Sequence, residues 1–295
     1  MTLLLSQDAE PEAIIDGMDT APGDYPGVVS ITDSSYNHYC GGSLISNRVI
    51  LTHRACFSNK YNDNFQDMGT VDIFRYNVTD DTGVLSVPLS KYEGAPEYYK
   101  YDQAYAIRFS RDDPDDPSND LPVAETPNFA LIILPESVGA QLTHVPKVKL
   151  NEKAGTPSIP GEELTVLGWG LESQGGDMPD VLQKATVEYV ASDECNTQYV
   201  KNPIKGWEMC STPGACMKDG GGPLFAGDVQ VGVVSRGYAR DCMAMPAIYA
   251  RVSDEIEWIK NVACHETSEL CEAGLDVCLS TLLEQQKAEV SFDIC

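Results

Sequence analysis

Hydrophobic residues occur along most of the chain in short runs that alternate with turn-forming residues. From Gly27 onward the runs are rich in Val, Ile, Leu and Tyr, and Gly, Pro, Asn and Asp separate them. They read VVSIT, RVILT, VDIFRYNVT, ALIIL, LTVLGW, ATVEYV, VQVGVVS and AIYARV. Many short strands with turns between them are typical of a β-sandwich or a pair of β-barrels. The pattern therefore predicts an all-β fold.

Helical periodicity appears only near the C-terminus. The segment Ser253–Ala263 opens with a Ser that can cap a helix and spaces Ile256, Trp258 and Ile259 to one side, which predicts a helix. A second helical candidate lies near Leu279–Lys287.

A polar stretch between Pro96 and Pro127 contains the acidic segment Arg111–Asp120, which reads RDDPDDPSND. Pro and clustered Asp disfavour both helix and strand, so the pattern predicts a surface loop. Its carboxylates could alternatively bind Ca²⁺, but the segment lacks the glycine and the terminal Glu of an EF-hand loop. We favour the solvated loop.

The charge of the chain excludes some partners. The formal net charge is −25 over 295 residues, which disfavours nucleic acid and anionic membrane surfaces. This charge either keeps the protein soluble and monomeric or steers a basic partner toward it. No apolar run reaches the roughly 20 residues that a membrane span needs. Leu3–Leu5 is too short for a complete signal-peptide core, so we expect a signal sequence that is incomplete or absent here.

The cysteine content indicates an oxidising compartment. The chain has 10 Cys, an even number, and Asn77-Val78-Thr79 is a glycosylation triplet whose acceptor would be Asn77. None of the cysteines forms a CxxC motif, and the 4 His lack metal-ligand spacing. We therefore expect a disulfide-bonded extracellular protein without a metal or other cofactor.

Several segments, taken in order, resemble the motifs of chymotrypsin-like and trypsin-like serine proteases. CMKDGGGPLF, Cys216–Phe225, resembles the nucleophile loop CxGDSGGPL. The other segments are IIDGMDTAPGDYP at Ile14–Pro26, CGGSLISNRVILTHRAC at Cys40–Cys56, LGWG at Leu167–Gly170, VVSRG at Val233–Gly237 and PAIYARVSDEIEWI at Pro246–Ile259.

The resemblance implies two antiparallel six-stranded β-barrels of the trypsin-like fold, a C-terminal helix and a Cys-rich C-terminal extension. The implied boundaries are a pro-segment or signal remnant at 1–13, a first barrel at about 14–140, a second barrel at about 141–252, a helix at 253–263 and a Cys-rich tail at 264–295.

The same resemblance implies three disulfides, which pair Cys40 with Cys56, Cys195 with Cys210, and Cys216 with Cys242. Four cysteines remain in the tail. If the tail were one helix, cysteines seven residues apart would have Cα atoms about 10.5 Å apart, too far for a disulfide. A non-helical turn or a pairing with Cys295 is then needed among Cys264, Cys271, Cys278 and Cys295.

The resemblance places the catalytic triad at residues that cannot perform its chemistry. The serine position is Gly220, which follows Asp219, and glycine offers no nucleophile. The histidine position is Ala55, because Cys40 and Cys56 enclose the same 15 residues as in the family. The aspartate position is Asn128, which lies in a segment similar to NDIALIKL. The resemblance therefore implies an inactive homologue.

The surrounding positions also depart from the family. Lys218 stands where the oxyanion hole has a glycine, so its side chain either occupies the cleft or prevents a glycine-like backbone. The specificity-pocket positions are Gly214, Ser235, Arg236 and Gly237.

Activation is altered as well. Ile14 and Asp219 are present, but Ala13 precedes the cleavage site and no Lys or Arg occurs before Arg48. Either another protease frees Ile14, or the chain stays zymogen-like with Asp219 paired elsewhere.

Three functions remain open from the sequence. The favoured one is a secreted, non-catalytic homologue that binds a protein, as an inhibitor, cofactor, decoy or scaffold; the partner would be an extracellular enzyme or a structural protein. The second is an enzyme, either a serine-type endopeptidase with residual or relocated activity or a different hydrolase that uses His53 or the acidic loop. The third is a structural component that the Cys-rich tail joins to an extracellular assembly.

Overall fold

The computed structural model describes residues 14, 17–57, 68–89, 100–101, 105–109, 128–171, 176–237 and 242–267. The acidic segment Arg111–Asp120, the helical candidate Leu279–Lys287 and most of the Cys-rich tail lie outside the described residues. Within these ranges, no helix combines the length and the apolar character that crossing a membrane requires.

In the described part of the chain, the first sheet contains eight strands, which are β2 Val28–Asp33, β3 His38–Leu44, β4 Val49–His53, β5 Met68–Ile73, β6 Leu85–Pro88, β7 Lys100–Tyr101, β8 Tyr105–Phe109 and β9 Phe129–Ile133. They follow one another across the sheet in the order β6-β5-β2-β3-β4-β9-β8-β7, with each pair antiparallel.

The second sheet also contains eight strands, and six of them form a closed ring because β12 pairs with both β11 and β13. Two short strands flank this ring, β1 beside β12 and β10 beside β15. The bounds are β1 Met18–Asp19, β10 Lys149–Leu150, β11 Glu163–Gly168, β12 Gln183–Val190, β13 Glu208–Ser211, β14 Pro223–Ala226, β15 Val229–Arg236 and β16 Ala247–Arg251.

The predicted pair of six-stranded antiparallel barrels is confirmed, with two additional strands in each sheet. One boundary was wrong, since the N-terminal residues assigned to the first barrel belong to the second. β1 pairs Met18 with Lys184 of β12, and Ile14 is fully buried in the second core. Burial of the Ile14 side chain accounts for this crossing, because removing apolar surface from water is the main stabilising term.

The predicted C-terminal helix is confirmed, but its bounds differ. A short 3-10 helix covers Val252–Asp254, and helix α3 then runs over Ile256–Thr267. Ser253 therefore lies in the preceding 3-10 helix and does not begin α3. Ile259 of α3 packs with Leu131 of β9 and Val233 of β15 in one buried cluster, so α3 covers the seam between the barrels. The described residues also include helices α1 Glu136–Gly139 and α2 Ser192–Gln198 and a 3-10 helix at Arg54–Phe57.

All three predicted disulfides are present. Their Cα–Cα distances are 6.2 Å for Cys40–Cys56, 6.5 Å for Cys195–Cys210 and 5.3 Å for Cys216–Cys242. Cys264, on the buried face of α3, is also disulfide-bonded. These bridges restrict the unfolded chain and stabilise the fold.

We expect Gly41→Ala to reduce the free energy of unfolding by about 1–3 kcal/mol, because it overpacks the contact between the barrels. An added methyl group at Gly41 would lie 2.9 Å from Gly222 Cα and 3.0 Å from Gly222 N. Urea titration measures the change. Gly206→Ala is the matched control, since an added methyl group there meets nothing within 4 Å. An equal loss in both variants would contradict a tight contact at Gly41.

Candidate functional site

The loop that resembles the nucleophile loop lies where the two barrels meet. On the first-barrel side, Gly41 N donates to Gly220 O at 2.8 Å. On the second-barrel side, Gly221 N donates to Val234 O and Val234 N donates to Gly222 O, both at 2.9 Å. Backbone hydrogen bonds from both barrels therefore fix the loop.

Gly220 has room for a side chain, whereas the glycine after it does not. Of the atoms that the structure describes, an added methyl group at Gly220 would meet only Cys40 Sγ within 4 Å, at 3.8 Å. At Gly221, φ is +85° and the same group would lie 2.3 Å from both Gly41 O and Thr52 Oγ1. Steric constraint therefore requires glycine at 221 but not at 220.

The Asp219 carboxylate is fully buried beneath the loop. Gly170 N donates to its Oδ1 and Cys216 N to its Oδ2, both at 2.8 Å. Burial raises the pKa of Asp219 to about 7, although the two backbone hydrogen bonds oppose the rise. Among the described residues, the hydrogen-bond partners of the Asp219 carboxylate are therefore two backbone amides. This pairing fits the alternative in which the chain stays zymogen-like and Asp219 is paired elsewhere.

Lys218 adopts the backbone conformation that a glycine would take. Its φ is +74°, so of the two alternatives, the one in which the side chain prevents a glycine-like backbone does not hold. The Lys218 ammonium is exposed and donates to Met178 Sδ at 2.9 Å. Lys218 therefore places a positive charge at the rim while its backbone stays in a conformation that glycine favours.

His38 links the first barrel to this loop, a role that sequence reasoning missed. Its Nε2 donates to Lys218 O at 3.1 Å, because a carbonyl can only accept. Nδ1 then accepts from Ser30 Oγ at 2.8 Å. Burial lowers the pKa of His38 to about 3, so the ring is neutral near pH 7.

The two residues that the resemblance aligns with the triad histidine and aspartate, Ala55 and Asn128, lie beside the loop. Ala55 is buried in the 3-10 helix Arg54–Phe57, next to Cys56, whose Sγ is 3.7 Å from Gly220 O. Asn128 has φ +56°, and its backbone O accepts from Arg54 N at 2.9 Å. Among the described residues, the buried side-chain Oδ1 of Asn128 has no hydrogen-bond partner, and an unpaired buried acceptor costs stability.

A histidine and a serine meet next to Asn128. Ser235 Oγ lies 3.1 Å from His53 Nε2, and Asn128 Nδ2 donates to Ser235 Oγ at 3.4 Å. Burial lowers the pKa of His53 to about 4. The sequence singled out each of these residues, but it gave no sign of their contact because 182 positions separate His53 from Ser235.

The specificity-pocket positions lack a charge at the floor. An added methyl group at Gly214 would lie 2.4 Å from Val187 Cγ1, so a side chain such as Asp at this position would require Val187 to shift. Nearby, the buried Tyr249 hydroxyl is 3.0 Å from Ser211 Oγ. A basic substrate side chain would find no carboxylate at Gly214.

Arg236 is held by an ion pair at the wall. Its Nε and Nη2 donate to the two carboxylate oxygens of the buried Glu208, each at 2.7 Å. Its guanidinium also lies 5.6 Å from the centre of the Tyr199 ring and donates to Asn202 O at 3.3 Å. The positive charge of Arg236 is therefore compensated within the protein by the Glu208 carboxylate. Gly237, beside it, is exposed.

The glycosylation candidate Asn77 is partly exposed. Its Oδ1 accepts hydrogen bonds from Thr79 N and Thr79 Oγ1, both at 2.7 Å. The modification stays a prediction. Within the part of the chain that the structure covers, no three His, Cys, Asp or Glu side chains are placed to hold a metal ion.

Comparison with known proteins agrees with this architecture. The family model for trypsin matches residues 14–259. Trypsin Blo t 3 of Blomia tropicalis is 32% identical over 258 residues, 84% of this chain and 85% of that protein. Trypsin-1 of Astacus astacus is 27% identical, over 84% of this chain and 98% of that protein. Among solved structures, human heparin binding protein has a TM-score of 0.59 at 21% identity, over 83% of this chain and 95% of that chain.

Two antiparallel barrels that meet at a glycine-rich loop define the chymotrypsin-like serine protease fold. The extent of the family match shows that the chain belongs to the trypsin family.

Asp219→Asn should remove a pH-dependent contribution to the free energy of unfolding. Since the pKa of Asp219 rises from 3.8 to about 7 on folding, the folded chain binds this proton more tightly than the unfolded chain. The contribution of Asp219 is therefore unfavourable above pH 7 and is relieved as the pH falls toward 4. From pH 8 to pH 5, the unfolding free energy of the wild type should gain about 2 kcal/mol relative to the variant.

Urea titrations of both proteins at the two pH values measure this difference. His38 and His53 titrate in both proteins, so their contributions cancel in the comparison. The same pH dependence in the two proteins would show that Asp219 does not change its protonation state on folding in this range.

Proposed function

We propose that this trypsin-family protein is a secreted, non-catalytic homologue that acts by binding another protein. One observation carries the proposal: Gly220, Ala55 and Asn128 stand at the positions that the resemblance assigns to the triad, around a loop that backbone hydrogen bonds join to both barrels. The shape of a protease cleft is retained, while the groups that would attack a peptide bond are absent.

The rim of the cleft is suited to protein contact. Met217 and Met243 flank the Cys216–Cys242 disulfide and are 47% and 58% exposed. Met side chains adapt to varied partner surfaces, and exposed apolar groups at one place favour an interface. The partner's surface would pack against these methionines near the Lys218 ammonium.

The relatives constrain the proposal in two ways. The relatives named above are trypsins, and this chain contains the disulfides that the resemblance to that family implies. Both observations are consistent with descent from an active protease. The name of human heparin binding protein does not transfer, because heparin is a polyanion and this chain has a net charge of −25. The three disulfides support an extracellular location.

The contact between Ser235 and His53 favours a second candidate, a hydrolase with relocated groups. Their atoms are 3.1 Å apart, as a nucleophile and its base would be. However, the lowered pKa of about 4 makes His53 a weak base. The ring is also buried, so a substrate would have difficulty reaching the pair.

Gly220→Ser should not restore hydrolysis, because no imidazole stands at Ala55 to accept the serine proton. The added methylene fits, since the methyl group placed at Gly220 meets only Cys40 Sγ, at 3.8 Å. A fluorophosphonate probe and a mixed peptide substrate library test the wild type and the variant. Both proteins should match their heat-inactivated samples.

Ser235→Ala is the control for the second candidate. Labelling of the wild type that maps to Ser235 and disappears in Ser235→Ala would favour the relocated hydrolase. Hydrolysis by Gly220→Ser alone would overturn the assignment of Ala55 as the histidine position.

A photo-crosslinker in place of Met217 should capture a protein from the native extracellular fluid. We expect p-benzoylphenylalanine at this position to give one dominant crosslinked protein, because Met217 lies at the rim of the cleft. The matched control carries the crosslinker at Ile159, a 68% exposed apolar residue outside the cleft loop. Equal crosslinking at both positions, or none at Met217, would contradict binding at the rim.

A further inference from the structure

A small pocket lies between the N-terminal segment and the end of β5, and it shares no residue with the triad positions. Its walls include Thr20, Tyr25, Phe74, Tyr76 and Leu182. The pocket has a volume of about 60 Å³, which accommodates the end of one side chain and excludes a drug-sized ligand.

Three of these walls are aromatic, and hydrogen bonds fix one of the rings. The Tyr76 hydroxyl donates to Thr20 O at 3.0 Å. The Tyr76 backbone O accepts from Trp169 Nε1 at 3.1 Å and from Leu182 N at 2.8 Å. Tyr25 packs on the same buried cluster as Tyr76. The aromatic walls are therefore pre-positioned.

Phe74 adopts an unusual backbone conformation at this pocket. Its φ is +65°, although it is a bulky residue without glycine's freedom. Such outliers cluster at binding sites, where the surrounding structure maintains the strain. Phe74 is partly buried against the first-barrel core and borders the pocket, and its ring stacks on His144 with 6.4 Å between the ring centroids.

The charges around the pocket favour a cation. Arg75 also borders it, but Nε donates to Asp72 Oδ2 at 2.9 Å and Nη2 donates to Asp81 Oδ1 at 2.7 Å. One Arg and two Asp leave this cluster with a net charge of −1. Asp24, next to Tyr25, and Asp80 are exposed as well. The local field therefore has the same sign as the net charge of −25.

We propose that this aromatic pocket binds the cationic end of a lysine side chain from a basic protein partner. Ring faces attract a cation within about 6 Å, and nearby carboxylates strengthen the attraction. The proposal does not depend on the loss of catalysis, because the pocket and the cleft are separate surfaces.

Ligand-observed saturation-transfer NMR tests the proposal with Nα-acetyl-lysine N-methylamide as the probe. The neutral comparison is Nα-acetyl-norleucine N-methylamide, which has a similar apolar stem without the ammonium. We expect the lysine probe to bind at least about fivefold more tightly, with an affinity that falls as salt rises.

Phe74→Leu and Tyr25→Leu, made separately, retain apolar bulk and remove one ring face each. Either variant should weaken lysine binding about two- to fivefold. Tyr36→Leu is the matched control, since Tyr36 is 72% exposed, has φ +63° and does not border the pocket. Circular dichroism identifies any variant that fails to fold. If one of the two pocket variants does not fold, lysine binding by the other one tests the proposal.

Three results would overturn the proposal. They are equal binding of the two probes, no binding of either, and an equal loss of lysine binding in Tyr36→Leu and the pocket variants.

Discussion

The buried carboxylate of Asp219 is the contact on which the junction of the two barrels depends. It receives one amide from Gly170 and one from Cys216, both in second-barrel segments, and it thereby holds the loop that Gly41 of the first barrel contacts. An unpaired carboxylate at this depth would be costly, so the loop keeps the path that satisfies it. None of these interactions uses a triad side chain. The shape of the loop therefore does not depend on a nucleophile or its base, which is compatible with the proposed non-catalytic function.

Three buried titratable groups surround this junction, and their effects on stability oppose one another. His38 and His53 are neutral in the folded chain, because burial lowers the pKa of each to about 3 and about 4. Their contribution is lost as the pH falls below about 6.5, where the unfolded chain takes up the protons. Asp219, whose pKa is raised to about 7, disfavours folding above that value. The junction is therefore most favourable at weakly acidic to neutral pH.

The sequence predicted the fold well where local pattern and disulfide spacing determine it. Alternating apolar runs indicated the strands, and the resemblance supplied the three cysteine pairs, which the structure contains. It could not predict that β1 joins the second sheet, because a two-residue strand has no period to detect. The contact of His38 with Lys218 depends on packing between residues 180 positions apart. The pairing of Arg236 with Glu208 also depends on tertiary packing and could not be predicted from the sequence.

The net charge of the protein and the side chains at the cleft rim favour different properties in a binding partner. The net charge of −25 would attract a basic protein of the kind proposed above from a distance. Among the described residues at the cleft rim, however, the exposed groups include the Lys218 ammonium and the side chains of Met217 and Met243, which carry no negative charge. Arg236 is neutralised by Glu208 and cannot compete for an acidic partner. Electrostatic attraction would thus accelerate encounter, while apolar packing at the rim would determine how long the complex lasts.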